Sequence, residues 1–153
     1  MISIPIYHIT LISFKQGVKL EFKENLPEQC PPADASEAAL ESVCRFLFFS
    51  PPDAIENYAS HIELGKPTGS APECKARSCS LFKMSNAAKQ AKKIGIFKNR
   101  KIAVLNIPEG CGAHSNGKNG HIDFWQARNF SPSTAIVNVY DSTDDIEDDT
   151  SDA

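Results

Sequence analysis

With 153 residues, 41% of them hydrophobic and 23% charged, the chain has the make-up of one globular domain that can bury a core without metal or disulfide staples. Its net charge of −3 is uneven: from Asp141 onward seven of thirteen residues are acidic and none is basic, while the rest carries sixteen Lys plus Arg against twelve acids. No apolar run approaches the roughly 18–20 residues of a membrane-spanning helix, and the N-terminus lacks the early basic residues of a signal peptide, so a cytoplasmic protein with no membrane partner is expected.

Residues 2–12 are β-rich and predict an opening strand, with a short strand or turn over 18–22. Prolines 27, 31 and 32 make 25–33 a loop, because proline offers no amide donor to a ladder or helix interior. Asp34-Ala-Ser-Glu37 has the spacing of a capping box, and Leu40, Val43, Cys44, Leu47 and Phe48 recur at helical intervals. This predicts a helix ending near Phe49. Ser50 and Pro51 then open a second helix with Ile55, Tyr58, Ala59 and Ile62 on its apolar face.

After a loop over 65–72, the alternation in Arg77-Ser-Cys-Ser-Leu-Phe82 predicts a strand. Ser85 or Asn86 caps a third helix over 87–94, stopped by Gly95. Residues 101–107 form a continuous apolar strand, 108–119 a Gly-rich loop, and 121–125 and 134–140 the last two strands. The class predicted is α+β: a mixed, mainly antiparallel sheet with three helices packed on it. A single domain over 1–140 is followed by a disordered acidic tail over 141–153, too poor in apolar side chains to order itself.

The five cysteines are an odd number at irregular spacing with no CxxC pair, which suggests neither a zinc site nor a disulfide framework. No metal is expected. Between Cys74 and Pro108 lie nine basic residues and not one acid. Lys89, Lys92, Lys93, Lys98, Arg100 and Lys101 are therefore a candidate nucleic-acid face, for RNA or DNA, or a surface for an acidic protein.

Three groupings carry possible chemistry. The first is Tyr7-His-Ile-Thr10 on the opening strand. The second is Ser78 with Ser80, two apart and so on one face of a strand, with Arg77 facing the other way. The third is Gly120-His-Ile-Asp-Phe-Trp125, where alternation puts His121, Asp123 and Trp125 on one face and Ile122 and Phe124 on the core face. A histidine beside an acid, next to a Gly-rich loop, is the most enzyme-like grouping in the chain.

Tyr7, His8 and Thr10, together with Ser78 and Ser80, resemble the Tyr-His-x-Thr and Ser-x-Ser strands of the DNA-targeting ADP-ribosyltransferase toxins and their relatives. The resemblance implies NAD as substrate, held by those five residues, with His121 and Asp123 at the transfer centre and Trp125 or Tyr7 stacking on nicotinamide. A nucleic acid or a nucleic-acid-associated protein would be the target. Family members supply a Glu on a late strand where this chain offers Asp123 or Glu109.

Gly120-His-Ile-Asp-Phe-Trp125 also resembles a segment of the type VI secretion amidase effectors, which implies a papain-like pair of Cys74 and His121. The third possibility is a non-catalytic module, one member of a toxin–antitoxin or immunity pair.

Overall fold

The computed structural model describes residues 19–146. The expected opening strand, with Tyr7, His8 and Thr10, lies outside the described residues, as do residues 147–153. Strands β1 (Leu40–Phe46), β2 (Cys79–Lys83), β3 (Ile102–Ile107), β4 (Gly112–Asn116), β5 (His121–Gln126) and β6 (Ile136–Tyr140) form one sheet in the order β4-β5-β2-β1-β3-β6. Every pairing among them is antiparallel. Helices α1 (Glu73–Ala76), α2 (Met84–Lys93) and α3 (Pro132–Ala135), with 3₁₀ turns at Ile55–Tyr58 and Gly95–Phe97, complete the α+β architecture.

The sheet buries both faces. On one, Ala87 and Ala91 of α2 pack with Cys44, Phe46, Phe82, Ile102, Val104 and Ile146. The small alanines let α2 lie close to the strands while its lysines stay in solvent. The other face joins Val43, Leu47, Cys79, Leu81, Leu105, Ile122 and Phe124 to Tyr58, Phe130 and Ala135. Burial of this apolar area, at roughly 25 cal/mol per Å², is the main stabilising contribution.

The largest correction concerns residues 34–49, where a helix was expected and β1 is found. Val43, Cys44, Phe46 and Leu47 are buried on the two faces of the sheet, so apolar and polar positions do not alternate and the apolar ones fit helical spacing. Val43 and Leu47 serve one face; Cys44 and Phe46 serve the other. Ser42, at φ 52°, kinks the strand where its register with β3 shifts, and its amide donates to Asn106 Oδ1 at 2.9 Å.

The second expected helix is only a 3₁₀ turn, because Asn57 organises the chain before it. This side chain is 1% exposed. Its Oδ1 accepts from the amides of Phe48 and Phe49, both at 2.9 Å, and its Nδ2 donates to the Phe49 carbonyl at 2.9 Å. The third helix is present but starts earlier than expected, at Met84, with Lys83 rather than Ser85 or Asn86 at the cap. The Gly-rich loop expected over 108–119 contains β4, which hides in the sequence because its residues are small or polar.

Two further expectations change. Cys30 and Cys74 form a disulfide across 44 residues, which irregular cysteine spacing could not reveal. It ties the proline-rich loop to α1. The acidic segment does not become disordered at 141: residues 143–146 are helical, and Ile146, 2% exposed, joins the α2 face of the core. One buried isoleucine supplies the apolar area that the acids lack. No helix among the described residues is long and apolar enough to cross a membrane.

Removing the disulfide frees the unfolded chain to explore more conformations. The double variant Cys30→Ser/Cys74→Ser should lose about 2–4 kcal/mol of unfolding free energy, measured by urea denaturation. Reducing agent should cost the parent protein a similar amount and the double variant nothing.

Candidate functional site

Strands β2 and β5 build the site. In their ladder Ser80 lies opposite Asp123 and Phe82 opposite His121. Opposed residues share a face, so the period-2 alternation sends Ser80, His121 and Asp123 to the α2 side. Leu81, Ile122 and Phe124 go to the core on the other side. The face expected for His121, Asp123 and Trp125 is the face observed.

Contact follows from that register. His121 Nε2 lies 2.9 Å from Ser80 Oγ, and the other ring nitrogen, Nδ1, is 3.7 Å from Asp123 Oδ1. The second distance is ion-pair range rather than a hydrogen bond. Ser78 stands just before β2; its hydroxyl donates to the Lys75 carbonyl at 2.7 Å and lies 3.4 Å from Asp123 Oδ1. Both serines singled out in the sequence therefore converge on the His121–Asp123 pair. Arg77 turns away to Glu73 and Glu24.

The turn before β5 holds His121 in place. Gly120 has φ 74°, a left-handed conformation that costs glycine little. A Cβ there would fall 2.3 Å from Asn86 Oδ1, so the turn can press on the start of α2 only because Gly120 is bare. Its carbonyl accepts from the Lys83 amide at 2.8 Å.

Strands β1 and β2 pair only at Val43 with Lys83 and Cys44 with Phe82. Where the ladder stops, Arg45 takes over: it donates to the Ser80 carbonyl at 2.9 Å and to the Asn57 carbonyl at 2.6 Å. Beside this gap opens a cavity of about 660 Å³, lined by Ser80, His121 and Arg45 and walled by Phe48, Phe82 and Phe97. Its size suits a small organic ligand. Asp123 does not line it and stands behind His121.

Burial pushes the His121 imidazole below its ordinary range; the Asp123 carboxylate opposes this, and the Lys75 ammonium adds to it. Near neutral pH the ring is uncharged and one nitrogen can accept a proton. The cysteines offer less. Cys74 is in the disulfide and has no thiol to give to His121, which corrects the expected Cys74–His121 pair. Burial pushes the Cys44 thiol up to about 12 and raises that of Cys79.

Trp125 does not stack on a ligand as expected. It is 3% exposed, and its indole donates to the Cys74 carbonyl at 2.8 Å. Lys89, Lys92, Lys93, Lys98, Arg100 and Lys101 are all exposed, on α2 and the turn after it. Among the described residues no cluster of His, Cys, Asp or Glu is arranged to hold a metal. Arg45, Asn57 and Phe97 were missed as cavity residues. Arg45 and Asn57 sat inside expected helices, and no local pattern marks a side chain that replaces a ladder bond. Comparison with protein-family models, with curated proteins and with solved structures finds no match.

NMR titration should place the His121 pKa below the ordinary value of about 6.5. Asp123→Asn removes the charge that favours the imidazolium and should lower it further; Lys75→Ala should raise it. Between the ordinary value and the lower folded value the unfolded chain binds the extra proton, so His121 should reduce stability as pH falls through that window. A His121→Gln variant should show a shallower acid-side loss in urea titrations.

Proposed function

We propose that the protein is a hydrolase or acyl-transfer enzyme with Ser80 as nucleophile, His121 as general base and Asp123 as the carboxylate that orients the imidazole. The observation that carries this reading is the 2.9 Å contact between Ser80 Oγ and His121 Nε2 on a cavity wall, with Asp123 behind the ring. A serine hydroxyl is a weak nucleophile until an adjacent base takes its proton. The depressed basicity of His121 keeps that base uncharged.

In the first half-reaction Ser80 Oγ bonds to the substrate carbonyl carbon as its proton passes to Nε2. The tetrahedral adduct then expels the leaving group, which takes the proton from Nε2, leaving an acyl-serine. Water attacks this ester, again giving a proton to Nε2, and the acid departs as Ser80 recovers its hydrogen. Asp123 favours the tautomer with hydrogen on Nδ1 and offsets the charge of the imidazolium formed in each step.

An NAD-consuming ADP-ribosyltransferase acting on nucleic acid or an associated protein is the second reading. The same cavity supports it: four phenylalanine rings line a space with Ser80 and His121, and basic side chains are exposed nearby. It is the weaker of the two because Asp123, which would have to stabilise a ribosyl cation, does not line the cavity. The disulfide also favours an oxidising compartment over the cytoplasm expected from the sequence.

A fluorophosphonate probe should label the parent protein at Ser80, and Ser80→Ala should abolish labelling. Asp123→Asn should slow labelling by at least about tenfold, since a misoriented base is a poor one. Iodoacetamide pretreatment should leave the rate unchanged. Labelling elsewhere, or none, overturns the hydrolase. Release of nicotinamide from labelled NAD with RNA, DNA or protein would establish the transferase, and failure of both assays would favour the non-catalytic module.

A further inference from the structure

The cavity beside Ser80 is more specific in character than a generic acyl site requires. Its wall is aromatic, and its lip exposes Phe49, Ile94 and Ile96, the last at 64%. Apolar side chains of this size held in water at a cavity mouth gain free energy when an apolar ligand covers them. Ile94 and Ile96 flank Gly95 where α2 ends, so the short 3₁₀ turn there presents them together.

Charge at the same mouth has one predominant sign. Lys66 and Lys118 line the cavity, against the single carboxylate of Glu56. Lys66 Nζ lies over the Phe48 ring, 5.7 Å from its centre, and the Arg100 guanidinium carbon 4.4 Å from it, so two cations stand against that aromatic ring. Lys118 belongs to the turn that carries His121. Arg45, which also lines the cavity, uses its Nε–H and one Nη1–H on the Asn57 and Ser80 carbonyls, and its charge adds to the same sign.

From this juxtaposition we infer that the substrate is an amphipathic anion, an ester or amide of a medium-length fatty acyl group carrying a phosphate or carboxylate on the other part. The acyl chain lies along Phe48, Phe97 and the isoleucine lip, and the anion faces Lys66 and Lys118. This inference rests on the proposed hydrolase for its chemistry but not for its binding, and the two separate experimentally.

Binding is tested on the Ser80→Ala protein by calorimetric titration with octyl phosphate, butyl phosphate and octyl glucoside, each below its micelle concentration. Each buried methylene should tighten binding about threefold to fourfold, so octyl phosphate should bind at least about tenfold tighter than butyl phosphate. It should also bind at least about tenfold tighter than uncharged octyl glucoside, and raising salt should erode that second margin. Ile96→Asp should remove the chain-length preference, and Lys66→Glu with Lys118→Glu the charge preference. Val137→Ser, on the outer strand β6, should change neither. Equal affinities for the three ligands, or no binding, overturn the inference. Binding as described without Ser80 labelling would instead overturn the hydrolase and leave an anionic-lipid binding site.

Discussion

In the β2–β5 ladder, Ser80 faces Asp123 and Phe82 faces His121, and the serine, imidazole and carboxylate of the candidate site take their positions from that pairing. Side chains alternate along a strand, so a slip of one residue would exchange the two faces. His121 and Asp123 would enter the core now filled by Leu81, Ile122 and Phe124, while those apolar groups turned toward the cavity. The cost of burying an imidazole and a carboxylate among aliphatic side chains is large, and the apolar area lost adds to it. Core packing on one face therefore specifies the geometry of the candidate site on the other.

The surroundings of His121 act on its imidazole in opposite directions. Burial disfavours the imidazolium, and the Asp123 carboxylate partly restores it. Asp123 Oδ1 in turn lies 3.4 Å from the Ser78 hydroxyl, which is anchored on α1 through the Lys75 carbonyl. Helix α1 has only four residues and little stability of its own. It is fixed by the Cys30–Cys74 disulfide and by the Trp125 indole on the Cys74 carbonyl. The two residues the sequence offers as nucleophile and stacking platform thus act as supports behind the site.

Legibility in the sequence follows local regularity. The cleanly alternating 121–125 segment and the apolar run before Pro108 announce β5 and β3, and period-2 spacing puts Ser78 with Ser80 and His121 with Asp123 on shared faces, although nothing local says that β2 pairs with β5. Residues 40–48 mislead because a strand buried on both faces shows no alternation, while its apolar positions fall by chance on a helical interval. β4 escapes notice because Gly112-Ala-His-Ser-Asn116 has almost no β-branched or large apolar side chain; it is held by its ladder with β5 and by bridging from Ser36. The disulfide and the Arg45 contacts join residues far apart in sequence, and no local window contains both partners.

The acidic segment shows how one apolar residue changes the behaviour of a charged stretch. Asp144 and its neighbours would repel one another in isolation and stay solvated. Ile146, however, enters the core beside Ala87 and Ala91 of α2, which draws residues 142–144 against the basic side of that helix. Ser142, Thr143 and Asp144 there share a surface hollow with Lys92 and Lys98. The chain's strongest concentration of negative charge thus begins beside its strongest concentration of positive charge, joined by a hydrophobic anchor rather than by ion pairing alone. Exposed ion pairs contribute little each and weaken with salt, whereas burial of an isoleucine is insensitive to screening. The position of the segment is therefore set by packing, and its charges tune how much positive potential α2 presents to any anion that approaches.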